Sequence, residues 1–198
     1  MALSARAQRV IVPLAAFVIS LGVLSLSLLV TLVPSGKSNP SAIAGSFALV
    51  DQNGASMTQA NLAGRPYLVF FGFTHCPDVC PTTLFQMSEM LKATGEKGRD
   101  LKVLFISIDP ERDTPEVLKN YLASFDDRIV GLTGNVASVE AAVRAFKAYA
   151  RKVPTQDGDY TMEHTSYVYL MDKNNALVGT VNLKRPPEEA ARDVLKQI

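Results

Sequence analysis

The chain has 198 residues, with 20 basic and 19 acidic side chains, two histidines, two cysteines and 47% hydrophobic residues. That length holds one globular domain plus an appendage, and the apolar fraction excludes a wholly disordered chain. A net charge of +1 gives no electrostatic case for a nucleic-acid partner, and two cysteines cannot build a disulfide-dense scaffold, so their role must be local.

The N-terminus is the most apolar stretch. No charged residue stands between Arg9 and Lys37, and residues 10–33 supply the roughly 20 apolar positions that a membrane-spanning helix requires. A cleaved signal peptide would have an apolar region of roughly 7–15 residues, and the cleavage-like Ala42-Ile43-Ala44 lies too far downstream to serve it. The run therefore reads as an uncleaved transmembrane anchor. Arg6 and Arg9 precede it while only Lys37 follows closely. Basic residues stay on the cytoplasmic side, so the body is expected to face a periplasm or a mitochondrial intermembrane space, held to the inner membrane by a single pass. The expected organisation is a cytoplasmic N-terminus (1–9), an anchor (10–33), a linker rich in Ser, Pro, Gly and Asn (34–45), and a domain over 46–198. Gly36-Lys37-Ser38 imitates the end of a phosphate-binding loop, but Thr31 occupies the place of its first glycine, which excludes that reading.

Beyond the linker, strands alternate with helices. Residues 47–50 followed by Asp51-Gln52-Asn53-Gly54 predict a strand entering a hairpin turn. The continuous apolar run 67–73 predicts a strand buried on both faces. A helix over 82–91 follows, with Leu84, Met87, Met90 and Leu91 on one side, and then a second buried strand over 101–108. Asp113-Thr114-Pro115-Glu116 supplies an N-cap and a proline at the first helical position, opening a helix to about residue 125. A short strand at 129–132 and a helix over 136–149, with Val139, Val143 and Phe146 apolar, come next. Strands at 165–171 and 176–183 form a hairpin across 172–175, and 186–198 closes the chain as a helix. This order is that of an α/β, thioredoxin-like fold, a mixed sheet flanked by helices behind one N-terminal transmembrane helix. Right-handed crossovers place the end of the 67–73 strand and the start of its helix at one edge of the sheet.

Both cysteines fall at that junction, in Phe73-Thr74-His75-Cys76-Pro77-Asp78-Val79-Cys80-Pro81. Cys76 is expected in the loop and Cys80 at the positive end of the helix dipole, a setting that favours thiolates. Two cysteines bracketed by prolines at a helix start fit poorly with inert core residues. Were the intervening residues helical, positions i and i+4 would hold Cβ atoms about 5–6 Å apart. A disulfide prefers about 3.5–4.5 Å, so the spacing suits one clasped ion better than an easy bridge. Thiolates favour Cu(I), Zn or iron–sulfur clusters, and a cluster usually takes four cysteines, which leaves zinc or copper. For a third ligand there are two histidines. His75 adjoins Cys76, and neighbours rarely both turn towards one ion. His164, in Met162-Glu163-His164-Thr165-Ser166 at the start of the late hairpin, is the better placed.

The run Phe-Gly-Phe-Thr-His-Cys-Pro-Asp-Val-Cys-Pro, then Ser107-Ile108-Asp109-Pro110-Glu111-Arg112-Asp113-Thr114-Pro115, then His164-Thr165 before an apolar strand, resembles the Sco/SenC family over about residues 45–198. That resemblance implies a membrane-anchored, thioredoxin-like copper metallochaperone that assists assembly of the CuA centre of cytochrome c oxidase. It implies Cys76, Cys80 and His164 as copper ligands, for Cu(I) or Cu(II), with His75 at a motif position that is not a ligand. The implied partners are the CuA-bearing oxidase subunit and a thioredoxin-like reductant. Glu163 stands where Asp is expected in many relatives. A second class of function remains open, in which Cys76 and Cys80 form a redox pair of a thiol-disulfide oxidoreductase acting on the oxidase subunit, or of a thiol peroxidase. Asp78 reads either as a partner that orients the loop or as an N-cap, and 109–114 as a docking segment or a turn before a capped helix. Met87, Met90, Met162 and Met171 read as core residues instead of copper ligands, with Met162 the one to test for its closeness to His164.

Overall fold

The computed structural model describes residues 20–22 and 45–198. Contacts divide the chain into two units, Met1–Pro40 and Ser41–Ile198. In the first, residues 20–22 are helical; the remainder of the expected anchor at 10–33, like residues 1–9 and most of the linker, lies outside the described residues. Among the described residues no helix is long and apolar enough to cross a membrane.

The second unit is a mixed α/β domain. Its strands are β1 (Ala48–Asp51), β2 (Ser56–Thr58), β3 (Tyr67–Gly72), β4 (Lys102–Ser107), β5 (Ile129–Thr133), β6 (Ala150–Pro154), β7 (Tyr160–His164), β8 (Val168–Met171) and β9 (Leu177–Val181), and its helices are α1 (Val79–Thr94), α2 (Pro115–Leu122), α3 (Val136–Ala145) and α4 (Pro187–Leu195). Seven strands form one sheet in the order β2-β1-β5-β4-β3-β8-β9, and β6 and β7 form a separate two-stranded ribbon. β3 and β4 run parallel, Tyr67 opposite Lys102 through Gly72 opposite Ser107, and β4 and β5 are also parallel. β8 joins β3 antiparallel. Every residue of β3 is buried, as a continuous apolar run in the middle of a covered sheet requires.

Local chemistry sets the helix starts. Thr114 Oγ1 accepts from the Val117 amide and Pro115 takes the first turn of α2, while Asn135 Oδ1 accepts from the Ser138 amide at the start of α3; both satisfy donors that a helix leaves open. The cap of α2 is Thr114, with Pro115 following it as expected, and Asp113 just before the cap is fully buried.

Four expected boundaries are corrected. α1 begins at Val79 instead of residue 82, with Pro81 inside the first turn, where a missing N–H breaks no hydrogen bond. α2 ends at Leu122 instead of near 125. α3 ends at Ala145 instead of 149, because Lys147 takes a positive φ of 50° and the chain turns back, its Ala148 amide donating to the Val143 carbonyl. Residues 150–164, which carry no clear periodicity, form the β6–β7 ribbon, with Ala150 opposite His164. His164 therefore ends β7, and the following strand starts at Val168 instead of residue 165.

Candidate metal centre

The centre lies where β3 gives way to α1. Gly72 ends β3 with room for no side chain: a Cβ there would stand 2.9 Å from Cys80 Sγ and 2.6 Å from Phe105 Cε2. The absence of that methyl group lets Cys80, second residue of α1, seat its sulfur against the strand end, fully buried. Cys76 sits in the preceding loop, half-buried, and the Cys80 amide donates to its Sγ at 3.4 Å. Both cysteines are free.

His164 arrives from β7, and its Nε2 lies 3.7 Å from Cys80 Sγ. Its Nδ1 is 3.0 Å from the Thr165 carbonyl. A carbonyl only accepts, so Nδ1 carries the proton and Nε2 turns its lone pair to the sulfurs, the tautomer that a metal ligand needs. The rings of Phe70 and Phe73 meet the imidazole edge-on, at 6.2 and 6.0 Å between centroids, and fix its plane. The donor atoms of Cys76, Cys80 and His164 all lie within 4.8 Å of one another, a group that could hold one metal ion.

Electrostatics favour neutral ligands before a metal arrives. Burial pushes the Cys80 thiol far above its ordinary range, outweighing the Phe73 backbone hydrogen bond that opposes it. The helix-terminal position favours a thiolate, and at Cys80 burial outweighs it. Burial also lowers the pKa of His164, against the Thr165 carbonyl, keeping the imidazole unprotonated near neutral pH. A soft ion entering the site displaces the thiol proton.

The other expected residues divide clearly. His75 is half-exposed and turned away, its Nδ1 3.1 Å from Thr74 Oγ1 and 3.9 Å from Asp113 Oδ1. Asp78 is exposed at the start of α1 and its side chain makes no capping hydrogen bond; its carboxylate accepts from Thr82 Oγ1, at 3.4 Å. Met87, Met90 and Met171 are core residues, and Met162 packs half-buried against the core. Sequence reasoning misses Gly72, Phe70 and Phe73 as parts of the site, and gives Asp113 no role beyond its place in the capping segment and the 109–114 docking segment. The signal for Gly72 was available, as a glycine ending a buried strand four residues before the first cysteine marks a close approach.

A thioredoxin-like domain with a Cys-x-x-x-Cys pair at its first strand–helix junction, faced by a distant histidine, defines a class of dithiol proteins distinct from the Cys-x-x-Cys oxidoreductases. The SCO1/SenC family model matches residues 35–198. The SCO2-like protein of Rickettsia felis is 40% identical over 149 residues, which are 74% of this chain and 73% of the relative. The structure of Bradyrhizobium japonicum ScoI with copper bound superposes with a TM-score of 0.76 at 53% identity, over 79% of this chain and all of that one. A structure that identifies a disulfide switch in BsSco, a member of the Sco family of cytochrome c oxidase assembly proteins, gives a TM-score of 0.62 at 26% identity over 81% of this chain and 95% of that one. The chain belongs to the SCO1/SenC family.

Proposed function

We propose that this chain is a membrane-anchored copper metallochaperone that carries copper on Cys76, Cys80 and His164 and assists assembly of the CuA centre of cytochrome c oxidase. The observation that carries the reading is the convergence of two sulfurs and an imidazole nitrogen within 4.8 Å, with Nδ1 engaged by the Thr165 carbonyl so that Nε2 is presented. Two soft sulfurs and one nitrogen suit Cu(I), and the nitrogen adds affinity for Cu(II). The copper-bound state of the Bradyrhizobium relative and the oxidase-assembly role of BsSco's family support the cargo and the destination.

In this reading residues 10–33 anchor the chain in the inner membrane by one pass, 34–45 link it, and the domain over 46–198 faces the periplasm or an intermembrane space. Cys76 and His164 are half-buried while Cys80 is fully buried. Ligands of the CuA-bearing subunit thus reach the ion from the side of Cys76 and His164, and Cys80 releases it last.

A second reading rests on the same asymmetry. The accessible Cys76 thiolate attacks a disulfide of the oxidase subunit, forming a mixed disulfide and expelling one thiolate. Cys80 then attacks Cys76 Sγ, its thiol proton passing to the departing target sulfur, which forms the intramolecular disulfide and releases the second target cysteine as a thiol. Two electrons pass to the target, and a thioredoxin-like reductant restores the dithiol. The absence of a Cys-x-x-Cys pair and the presence of His164 favour copper carriage as the main role.

The test is a titration of the reduced full-length chain with Cu(I) against a competing chelator. One tightly held ion per chain is expected, and Cys76→Ser with Cys80→Ser should abolish it, because a hydroxyl is a poor ligand for a soft ion. Full retention of copper by the double variant contradicts the assignment.

A further inference from the structure

The two halves of the proposed site come from different parts of the chain, and one loop, residues 107–113 running from the last residue of β4 towards α2, grips both. On the cysteine side, Asp113 is fully buried and its carboxylate is saturated by the loop it faces. Oδ2 accepts from the Thr74 amide at 3.0 Å and from Ser107 Oγ at 2.6 Å, and Oδ1 accepts from Thr74 Oγ1 at 2.6 Å. Thr74 stands two residues before Cys76, so this carboxylate fixes the chain at the point where it leaves β3 for the cysteine loop. Ser107 Oγ also accepts from the Asp109 amide, at 3.1 Å, and the Asp113 amide donates to the Asp109 carbonyl at 2.9 Å, which closes the loop on itself.

On the histidine side, Arg112 and Asp109 of the same loop hold Tyr160, the first residue of β7. Arg112 Nη1 donates to the Tyr160 carbonyl at 3.1 Å, its Cζ lies 3.8 Å from the centroid of the Tyr160 ring, and Tyr160 Oη donates to Asp109 Oδ1 at 2.9 Å. Arg112 Nε completes the clamp on Asp109 Oδ2. The strand that starts at Tyr160 ends at His164. A two-stranded ribbon is marginally stable by itself, so its docking to the body depends on such contacts.

We propose that the 107–113 loop is the positioning element of the metal site. Asp113 sets the cysteine half through Thr74, and Arg112 sets the histidine half through Tyr160. This rests on the copper reading, and neither residue touches the ion. A buried carboxylate is an expensive way to cap a loop unless several charge-assisted hydrogen bonds satisfy it, and here three do. Loss of the carboxylate leaves three donors facing one another at the base of the cysteine loop.

The two halves give separable signatures. In the full-length chain, Asp113→Ala should weaken both Cu(I) and Cu(II) by about tenfold or more, the range set by leaving buried donors unpaired, and shift the thiolate-to-Cu(II) charge-transfer band. Asp113→Asn keeps an acceptor for the Thr74 and Ser107 donors, and its amide can donate to the Thr74 hydroxyl, so it should recover most of the wild-type spectrum. Arg112→Met keeps the stem but removes the guanidinium's contacts with Tyr160 and Asp109, leaving the Tyr160–Asp109 hydrogen bond; it should weaken Cu(II) and leave Cu(I) close to wild type, because the thiolates are untouched. Ile129→Ala, a buried residue at the opposite end of the parallel strands, controls for instability: it should lower the unfolding midpoint and leave the band in place. Thr74→Val removes a single bond to Asp113 and reports in the direction of Asp113→Ala should that variant not fold. Asp113→Ala or Thr74→Val with an unshifted band and unchanged affinities overturns the cysteine half of the proposal while copper binding stands. Equal effects of Arg112→Met on Cu(I) and Cu(II) overturn the histidine half. A wild-type chain that holds no copper removes the copper reading itself, and the inference with it.

Discussion

His164 Nε2 lies 3.7 Å from Cys80 Sγ although 84 residues of chain separate them. The contact joins the end of a ribbon strand to the first turn of the helix after β3, and it distinguishes the site from a bare dithiol. The two histidines should therefore behave differently. His164→Ala should weaken Cu(II) by more than the roughly 10–100-fold that follows loss of a ligand's own supporting partner. His75→Ala should change it little, since that ring is half-exposed and faces Asp113. Competition titrations of the two variants side by side check this; equal losses would remove His164 from the site.

Much of this arrangement is legible in the sequence because burial writes itself into the pattern. The apolar runs of β3 and β4 and the proline-bracketed Cys76 and Cys80 stand out against their surroundings, and Thr114-Pro115 marks the start of α2. The β6–β7 ribbon does not stand out. Ala150–Pro154 alternates neither cleanly nor with apolar residues, and the ribbon's attachment includes a long-range polar contact, the Arg112–Tyr160 clamp, that leaves no local pattern. The same cause hid Asp113. From local sequence Asp113 is only the residue before a Thr-Pro helix start, and only the return of Thr74, 39 residues earlier, turns it into a buried anchor.

Gly72→Ala tests how closely the strand end and Cys80 are fitted. The added methyl would stand 2.9 Å from Cys80 Sγ and within 3.2 Å of two Phe105 ring atoms. Overpacking of this kind costs about 1–3 kcal/mol, and relief by moving Cys80 also displaces a copper ligand. Chemical denaturation should show a loss in that range, with copper affinity falling in parallel. A variant with unchanged stability and affinity would show that the strand end yields freely.

Oxidation should close the site to copper. Forming the Cys76–Cys80 disulfide removes two electrons and two protons and leaves no thiolate for the ion. It also draws the two Cβ atoms to about 3.5–4.5 Å, so amide exchange over residues 76–81 should change between the two forms. Copper stoichiometry should fall from one per chain to near none on full oxidation, with thiol counts falling from two to none in parallel. Undiminished binding by the disulfide form would leave the dithiol without a part in copper loading.

The most direct measurement is X-ray absorption of the Cu(I)-loaded, reduced full-length chain beside its His164→Ala variant. A first shell of two sulfurs and one imidazole nitrogen is expected for the wild type, with the nitrogen lost and both sulfurs kept in the variant. A wild-type shell lacking either sulfur, or a nitrogen that persists unchanged in His164→Ala, would contradict the assignment of Cys76, Cys80 and His164 as the copper site.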